Sequence, residues 1–198
     1  MRIHKLIIAV FLGLMTGRSM AQNGEGETGK YHKFSVYAGA GPSYFINNLV
    51  ILKDEVSNFK YAISARFMWE PQHSFVALGF ETGYYRLYSV KSRSPQPKAD
   101  ITNSSVPLMF VVSMKFSKKF YANWAMGQSV TFNNVSNTDS SQYKFDAKTW
   151  SLSDFSATFG YRFAQKPKIS YAVELKGYYS SGYENATIAL LFIVGFKL

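Results

Sequence analysis

The stretch Ala186–Leu198 reads ATIALLFIVGFKL and keeps a period of two. Ile188, Leu190, Phe192, Val194, Phe196 and Leu198 share one parity, and Thr187, Ala189, Leu191, Ile193, Gly195 and Lys197 share the other. That period belongs to a strand, whose successive side chains point to opposite faces. A membrane-crossing helix needs about 20 apolar residues, whereas a tilted crossing strand needs about 9 to 11. The stretch can therefore cross a bilayer only as a strand. A strand alone in hydrocarbon leaves its backbone N–H and C=O groups without partners, so a crossing strand requires a closed barrel of strands.

Seven earlier segments repeat the pattern. Lys33–Phe45 sets Phe34, Val36, Ala38, Ala40, Pro42 and Tyr44 against Ser35, Tyr37, Gly39, Gly41 and Ser43. In Asn58–Glu70, Phe59, Tyr61, Ile63, Ala65, Phe67 and Trp69 oppose Lys60, Ala62, Ser64, Arg66, Met68 and Glu70. Ser74–Ser89, Ser104–Ser117, Phe120–Asn133, Thr149–Ala164 and Ile169–Ser180 follow the same rule. Four residues or fewer separate the second strand from the third, the fourth from the fifth and the sixth from the seventh. Longer connections separate the others, among them the polar loops Val90–Asn103 and Asn134–Lys148. An even strand number, with short turns at one end and longer loops at the other, is the pattern of an outer-membrane barrel. The expected fold is all-β, an eight-stranded antiparallel up-and-down transmembrane β-barrel over 33–198. Both termini fall at the short-turn, periplasmic end, and Ala186–Leu198 closes the barrel between the strands starting at Lys33 and Ile169.

A soluble β-barrel also alternates, but it shows its charge outside. Here the second parity combines mixed charge with Gly39, Gly41, Gly79, Gly83, Gly127, Gly160 and Gly195. Glycine makes a poor solvent surface, but in a narrow lumen it leaves room for long side chains. Eight strands enclose an interior that side chains can fill. The expected filling is a charge network of Lys60, Arg66, Glu81, Lys115, Asp154, Arg162, Glu174 and Lys176, with no open pore. The apolar parity faces lipid and ends in two aromatic girdles. Phe34, Trp69, Phe116, Phe120, Phe163, Tyr171 and Phe196 form the one at the turn end, and Tyr44, Phe59, Tyr61, Tyr88, Phe132 and Tyr179 the one at the loop end. Pro42 and Pro107 are expected towards the loop-side rim, where a missing ladder donor is tolerated.

The segment MRIHKLIIAVFLGLMTGRSMAQ has Arg2 and Lys5 before an apolar run from Leu6 to Met15, then small residues at Ser19 and Ala21. It reads as a signal peptide, 1–21, cleaved after Ala21. Residues 22–32 then form a flexible periplasmic lead. Removal of the signal takes the formal charge from +10 to +7. A basic chain is compatible with nucleic acid, but export argues against that partner. With no cysteine, neither a disulfide framework nor a thiolate metal site is available.

Of the three histidines, His4 leaves with the signal, and His32 and His73 fall at the periplasmic rim without an evident third ligand. No metal site or cofactor is expected. A lipid hydrolase needs Ser, His and a carboxylate together near the loops; no histidine is at that end, so no catalytic residue is assigned. No phosphate-binding loop or dinucleotide fingerprint occurs. Lys91, Arg93 and Lys98, in the second long loop, are candidate contacts to lipopolysaccharide phosphates through charge-assisted hydrogen bonds.

Several local patterns resemble the PorT-like outer-membrane β-barrel family of Bacteroidetes-type bacteria. They are Val106-Pro107-Leu108 with Lys115 and Phe116, Gly127, Asp154-Phe155 leading to Gly160, Glu174-Leu175-Lys176 with Tyr178, and terminal Gly195-Phe196-Lys197-Leu198, where Leu198 replaces a commoner Phe. The resemblance implies a bacterial outer-membrane barrel whose terminal Phe196 and Leu198 are read as a signal by the outer-membrane assembly machinery. The expected partners are membrane lipid, lipopolysaccharide, that machinery, and envelope or secretion proteins. The expected role is structural or interactive, through extracellular loops or envelope partners. A component of a protein secretion apparatus is the alternative, and a lipid-modifying enzyme the third reading.

Overall fold

The period of two is realised as strands along almost the whole of residues 32–46, 56–71, 74–91, 99–137, 144–182 and 185–198, which a computed structural model describes. The strands are β1 (His32–Ile46), the two-residue β2 (Val56–Ser57), β3 (Phe59–Pro71), β4 (Val76–Lys91), β5 (Ala99–Lys115), β6 (Phe120–Asn137), β7 (Lys144–Gln165), β8 (Ile169–Ser180) and β9 (Asn185–Lys197). Every neighbouring pair is antiparallel, β4 pairs with β5, and β1 pairs with both β3 and β9. The eight long strands therefore form a closed ring in which no strand is left as an edge along the barrel wall.

Burial alternates along each strand as the two parities require. On β9, Leu190 is 51% exposed while Leu191, the next residue, is wholly buried. Water does not tolerate so continuous an apolar exterior: Phe67, Phe80, Leu108, Phe110, Trp124, Phe159, Leu175 and Phe192 all lie exposed on it. Ring contacts join neighbouring strands at the turn end, as in Phe34–Phe67 at 5.5 Å and Phe120–Tyr161 at 5.0 Å. At the loop end they include Phe155–Tyr179 at 4.9 Å and Tyr61–Tyr84 at 5.9 Å. The turn between β5 and β6 is short because Ser117 Oγ accepts from the backbone N–H groups of both Lys119, at 3.1 Å, and Phe120, at 3.0 Å.

Four expectations are corrected. Val90–Asn103 and Asn134–Lys148 are not loops throughout: Val90 pairs with Ile101, Lys91 with Asp100, and Ser136 with Lys144. In these segments polar residues such as Asp100, Thr102, Asn134 and Ser136 interrupt the apolar alternation, while the backbone ladder continues. In the other direction, Phe116 and Ser117 lie in a bend beyond the end of β5. Tyr88 leaves the outer girdle, because a register shift between Arg86 and Tyr88 lets its ring pack on buried Phe45 at 5.0 Å. Pro107 sits within the wall and not at the rim. The β4–β5 ladder passes from Thr82↔Leu108 to Tyr85↔Ser105 without a pair at Pro107, and Thr82 Oγ1 donates to the Pro107 carbonyl at 2.9 Å. Pro42 does lie towards the loop end of β1, and there too the ladder spares it, passing from Ala40↔Phe192 to Ser43↔Ala189. A residue without an N–H costs nothing where the ladder has no bond to lose.

Candidate functional site

The inward parity brings a set of ionised side chains onto the barrel axis in three tiers. At the turn end, Lys115 Nζ of β5 donates to Glu70 Oε2 of β3 at 2.5 Å, and the Tyr37 hydroxyl donates to Glu70 Oε1. Arg162 of β7 stacks its guanidinium 5.4 Å from the centre of the Tyr121 ring.

The middle tier holds two cations and two carboxylates. Arg66 pairs with Glu174 and lies 3.7 Å from Glu81, which also receives Lys176. The Tyr121 hydroxyl donates to Glu174 Oε1 at 2.6 Å. In the amide orientation that satisfies its neighbours, Asn123 accepts from Arg66 and donates to Ser113 Oγ at 2.7 Å. All four ionised side chains are at most 3% exposed. Charges so buried persist only when paired and hydrogen-bonded, and two against two leaves the tier neutral.

In the third tier, towards the loops, Asp154 accepts from the Tyr178 hydroxyl at 2.8 Å, from Ser151 Oγ and from the Ser181 backbone N–H at 3.1 Å. Ser105 Oγ lies 2.8 Å from the same tyrosine oxygen, and the Tyr178 ring stacks on Tyr85 at 4.7 Å. Between the first two tiers the remaining cavity is about 20 Å³, room for about one water. At this depth the lumen is a packed interior.

Glycines make that packing feasible. Gly160 stands directly opposite Tyr121, and Gly195 opposite Tyr37. A Cβ on Gly160 would lie 2.2 Å from the Tyr121 ring, and one on Gly195 2.5 Å from the Tyr37 ring. Each tyrosine occupies the space its partner's side chain would fill.

The charges expected in the lumen thus separate. Arg66, Glu81, Glu174 and Lys176 meet directly; Lys115 and Arg162 stand at the turn-end mouth, and Asp154 stands among hydroxyls above. Lys60 stands apart, near the loop end of β3, where its Nζ donates to Ser57 Oγ at 2.8 Å. Sequence reasoning put Glu70 on the inward parity but left it out of the network, and it missed the tyrosines Tyr37, Tyr85, Tyr121 and Tyr178 as members. Their available signal was an inward parity, and for Tyr37 and Tyr121 a glycine directly across the ladder. Phe196 and Leu198 lie on the exposed outer face, and Leu198 N–H donates to the Phe34 carbonyl at 2.8 Å, tying the end of the chain to β1.

Arg93, Lys98 and His73 lie outside the described residues, as do residues 1–31 with the expected signal peptide and nearly all of the lead. Lys91 ends β4 and His32 begins β1. Among the described residues, no group of three His, Cys, Asp or Glu is placed to hold a metal ion.

No protein-family model matches the chain, and no curated protein matches it in sequence. Solved structures do match in fold. A major outer membrane protein from Thermus thermophilus superposes with a TM-score of 0.57 at 13% identity, over 84% of this chain and 99% of that one. Ail, the attachment invasion locus protein of Yersinia pestis, solved with the heparin analogue sucrose octasulfate, superposes at 0.54 and 9% identity, over 84% and 99%. The chain therefore has the fold of the small, closed, eight-stranded outer-membrane β-barrels.

Proposed function

We propose that the chain is an outer-membrane barrel without catalytic activity that holds a small β-sheet outside the cell and offers the edge of that sheet to a protein partner. One observation carries the reading: β7 has 22 residues where its neighbour β8 has 12, and the β7–β8 ladder begins only at Phe155. From there outwards β7 continues with β6, β5 and the end of β4 as a four-stranded sheet of largely polar residues, among them Thr102, Asn103, Asn133 and Asn134. Among the described residues, Lys144–Lys148 has no strand on the side away from β6. A strand added there by another protein would gain main-chain hydrogen bonds.

The outer-membrane location is supported by the apolar exterior, the aromatic belts and the export pattern of residues 1–21, with 22–32 as a lead and 33–198 as the barrel. In this orientation the long loops face outwards. Lys91, Arg93 and Lys98 are then proposed contacts to lipopolysaccharide phosphates, and Phe196 and Leu198 the proposed assembly signal. The motifs around Val106-Pro107-Leu108 and Glu174-Leu175-Lys176 support a PorT-like assignment within the small barrels.

A photo-crosslinking amino acid at Ala147 in intact cells tests the reading. The expected result is an adduct with an extracellular protein that is lost when the crosslinker is moved to lumen-buried Ser156. No adduct at Ala147 under conditions that label lipid-facing positions would contradict it. Loss of secreted cargo on deletion would instead favour the secretion-apparatus reading, and release of acyl chains by the purified protein the enzymatic one.

A further inference from the structure

Among the described residues, β7 from Lys144 to Lys148 has no strand on the side away from β6, and this edge alternates in charge. Lys144, Asp146 and Lys148 share the outward parity, and Phe145 and Ala147 share the inward one. Across the ladder on β6 the three charged residues meet Ser136, Asn134 and Phe132, so no residue of opposite charge stands directly across from them there. Asp146 and Lys148 are exposed, and the Lys148 ammonium lies over the Phe132 ring at 5.6 Å. The inward parity is apolar in a different way. Val90↔Ile101, Ile101↔Val135 and Val135↔Phe145 are successive pairs, so an apolar row crosses four strands and ends at Phe145 on the edge.

We infer that this edge selects a protein strand that alternates acidic, apolar, basic, apolar, acidic along five residues. The inference rests on the edge reading above and adds the chemistry of the partner. Residues directly opposite one another in a sheet attract when their charges are opposite and repel when they are alike. An incoming strand therefore needs a carboxylate beside Lys144 and beside Lys148, a cation beside Asp146, and an apolar residue beside Phe145 that prolongs the row. Lysines alone on an edge would only discourage pairing; Asp146 between them makes the edge accept one charge pattern and reject its inverse. The pattern reads the same in both directions, so strands running either way fit. A second copy of this chain does not. Two barrels in one membrane are related by a two-fold axis along the membrane normal, which sets each residue of one edge against the same residue of the other. Like charges would then meet at all three positions.

The test is fluorescence anisotropy of labelled peptides added to the folded barrel in zwitterionic detergent at low salt. One peptide carries Glu-Val-Lys-Val-Glu, a second the inverse Lys-Val-Glu-Val-Lys, and a third the residues of the first in the order Glu-Glu-Lys-Val-Val, which controls for net charge. Saturable binding of the first is expected, about tenfold or more tighter than that of either other peptide. Lys144→Glu with Asp146→Lys and Lys148→Glu, its folding checked by gel mobility before and after boiling, should reverse the preference in favour of the second peptide. Asp146→Lys alone changes one exposed side chain and should weaken binding of the first about tenfold. Failure of the first peptide to bind, equal binding of all three, or a preference that these variants leave in place would each overturn the selection. The edge itself is judged separately by the Ala147 adduct in cells: an adduct without peptide preference keeps the edge and overturns the charge pattern, and absence of both overturns the two together.

Discussion

Replacing Lys176 with Met tests the middle tier most sharply. Lys176 is fully buried and donates to Glu81, whose other partner, Arg66, lies 3.7 Å away and also serves Glu174. At an effective dielectric near 20, a pair at that separation is worth roughly 4.5 kcal/mol. Lys176→Met leaves two carboxylates sharing one guanidinium, so the tier carries an uncompensated negative charge. Removing one partner of such a pair costs about 3 to 5 kcal/mol, a large share of the roughly 5 to 15 kcal/mol that a folded domain has in total. The lost contact between the ammonium and the Tyr85 ring, 5.8 Å away, adds to the cost. Glu81→Gln strands Lys176 and should cost a similar amount. The double variant keeps Arg66 with Glu174 and is neutral again, so it should cost no more than either single change, a coupling of about 3 kcal/mol. Urea unfolding in lipid vesicles, followed by tryptophan fluorescence, reads all four proteins. Single variants within about 1 kcal/mol of wild type, or a double variant equal to the sum of the singles, would refute the neutral, water-excluded tier.

Other changes probe the remaining elements. Leu175→Arg puts a charge on the lipid face beside the lumen lysine and should cost about 2 to 4 kcal/mol near the midplane, measured by the same unfolding assay. Gly160→Val drives a side chain into the Tyr121 ring, which a Cβ alone would approach to 2.2 Å; expulsion of the tyrosine from Glu174 should cost about 1 to 3 kcal/mol and change the ultraviolet difference spectrum of the buried tyrosine. Deleting Phe196–Leu198 removes the Leu198 bond to Phe34 and the last outward aromatic of β9. The truncated chain should fail to reach the outer membrane folded, as read by fractionation and by gel mobility before and after boiling.

What the sequence revealed depended on what surrounded each residue. β9 was legible because lipid on one side and packed lumen on the other impose different chemistry on alternate residues. Even so, Leu191 and Ile193 face inwards, where parity and not polarity had to decide. Strand ends inside the aromatic belt came within a few residues of the structure, as for Ile169–Ser180. The outward continuation of β5, β6 and β7 was not legible, because Thr102, Asn103 and Asn134 interrupt the apolar alternation, and the apolar row Val90, Ile101, Val135 and Phe145 shows only once the strands are in register. Arg66, Glu81, Glu174 and Lys176 were identifiable as inward charges, but their meeting depends on register across different strands, which the long loops leave open. The tyrosines were missed for the same reason, since the closure of β1 on β9 was legible but the register that sets Gly195 opposite Tyr37 was not.

The central claim is that the two parities of each strand face lipid and packed lumen, and the natural absence of cysteine allows it to be tested residue by residue. Leu190→Cys and Leu191→Cys differ by one position on β9, one half exposed and the other wholly buried. After unfolding, labelling with an environment-sensitive fluorophore and refolding into vesicles, the probe at 190 should be quenched strongly by nitroxide-labelled lipid. Its neighbour at 191 should either block refolding or escape quenching. Strong quenching at both positions, or a probe at 190 quenched by aqueous iodide and not by lipid, would contradict the assignment.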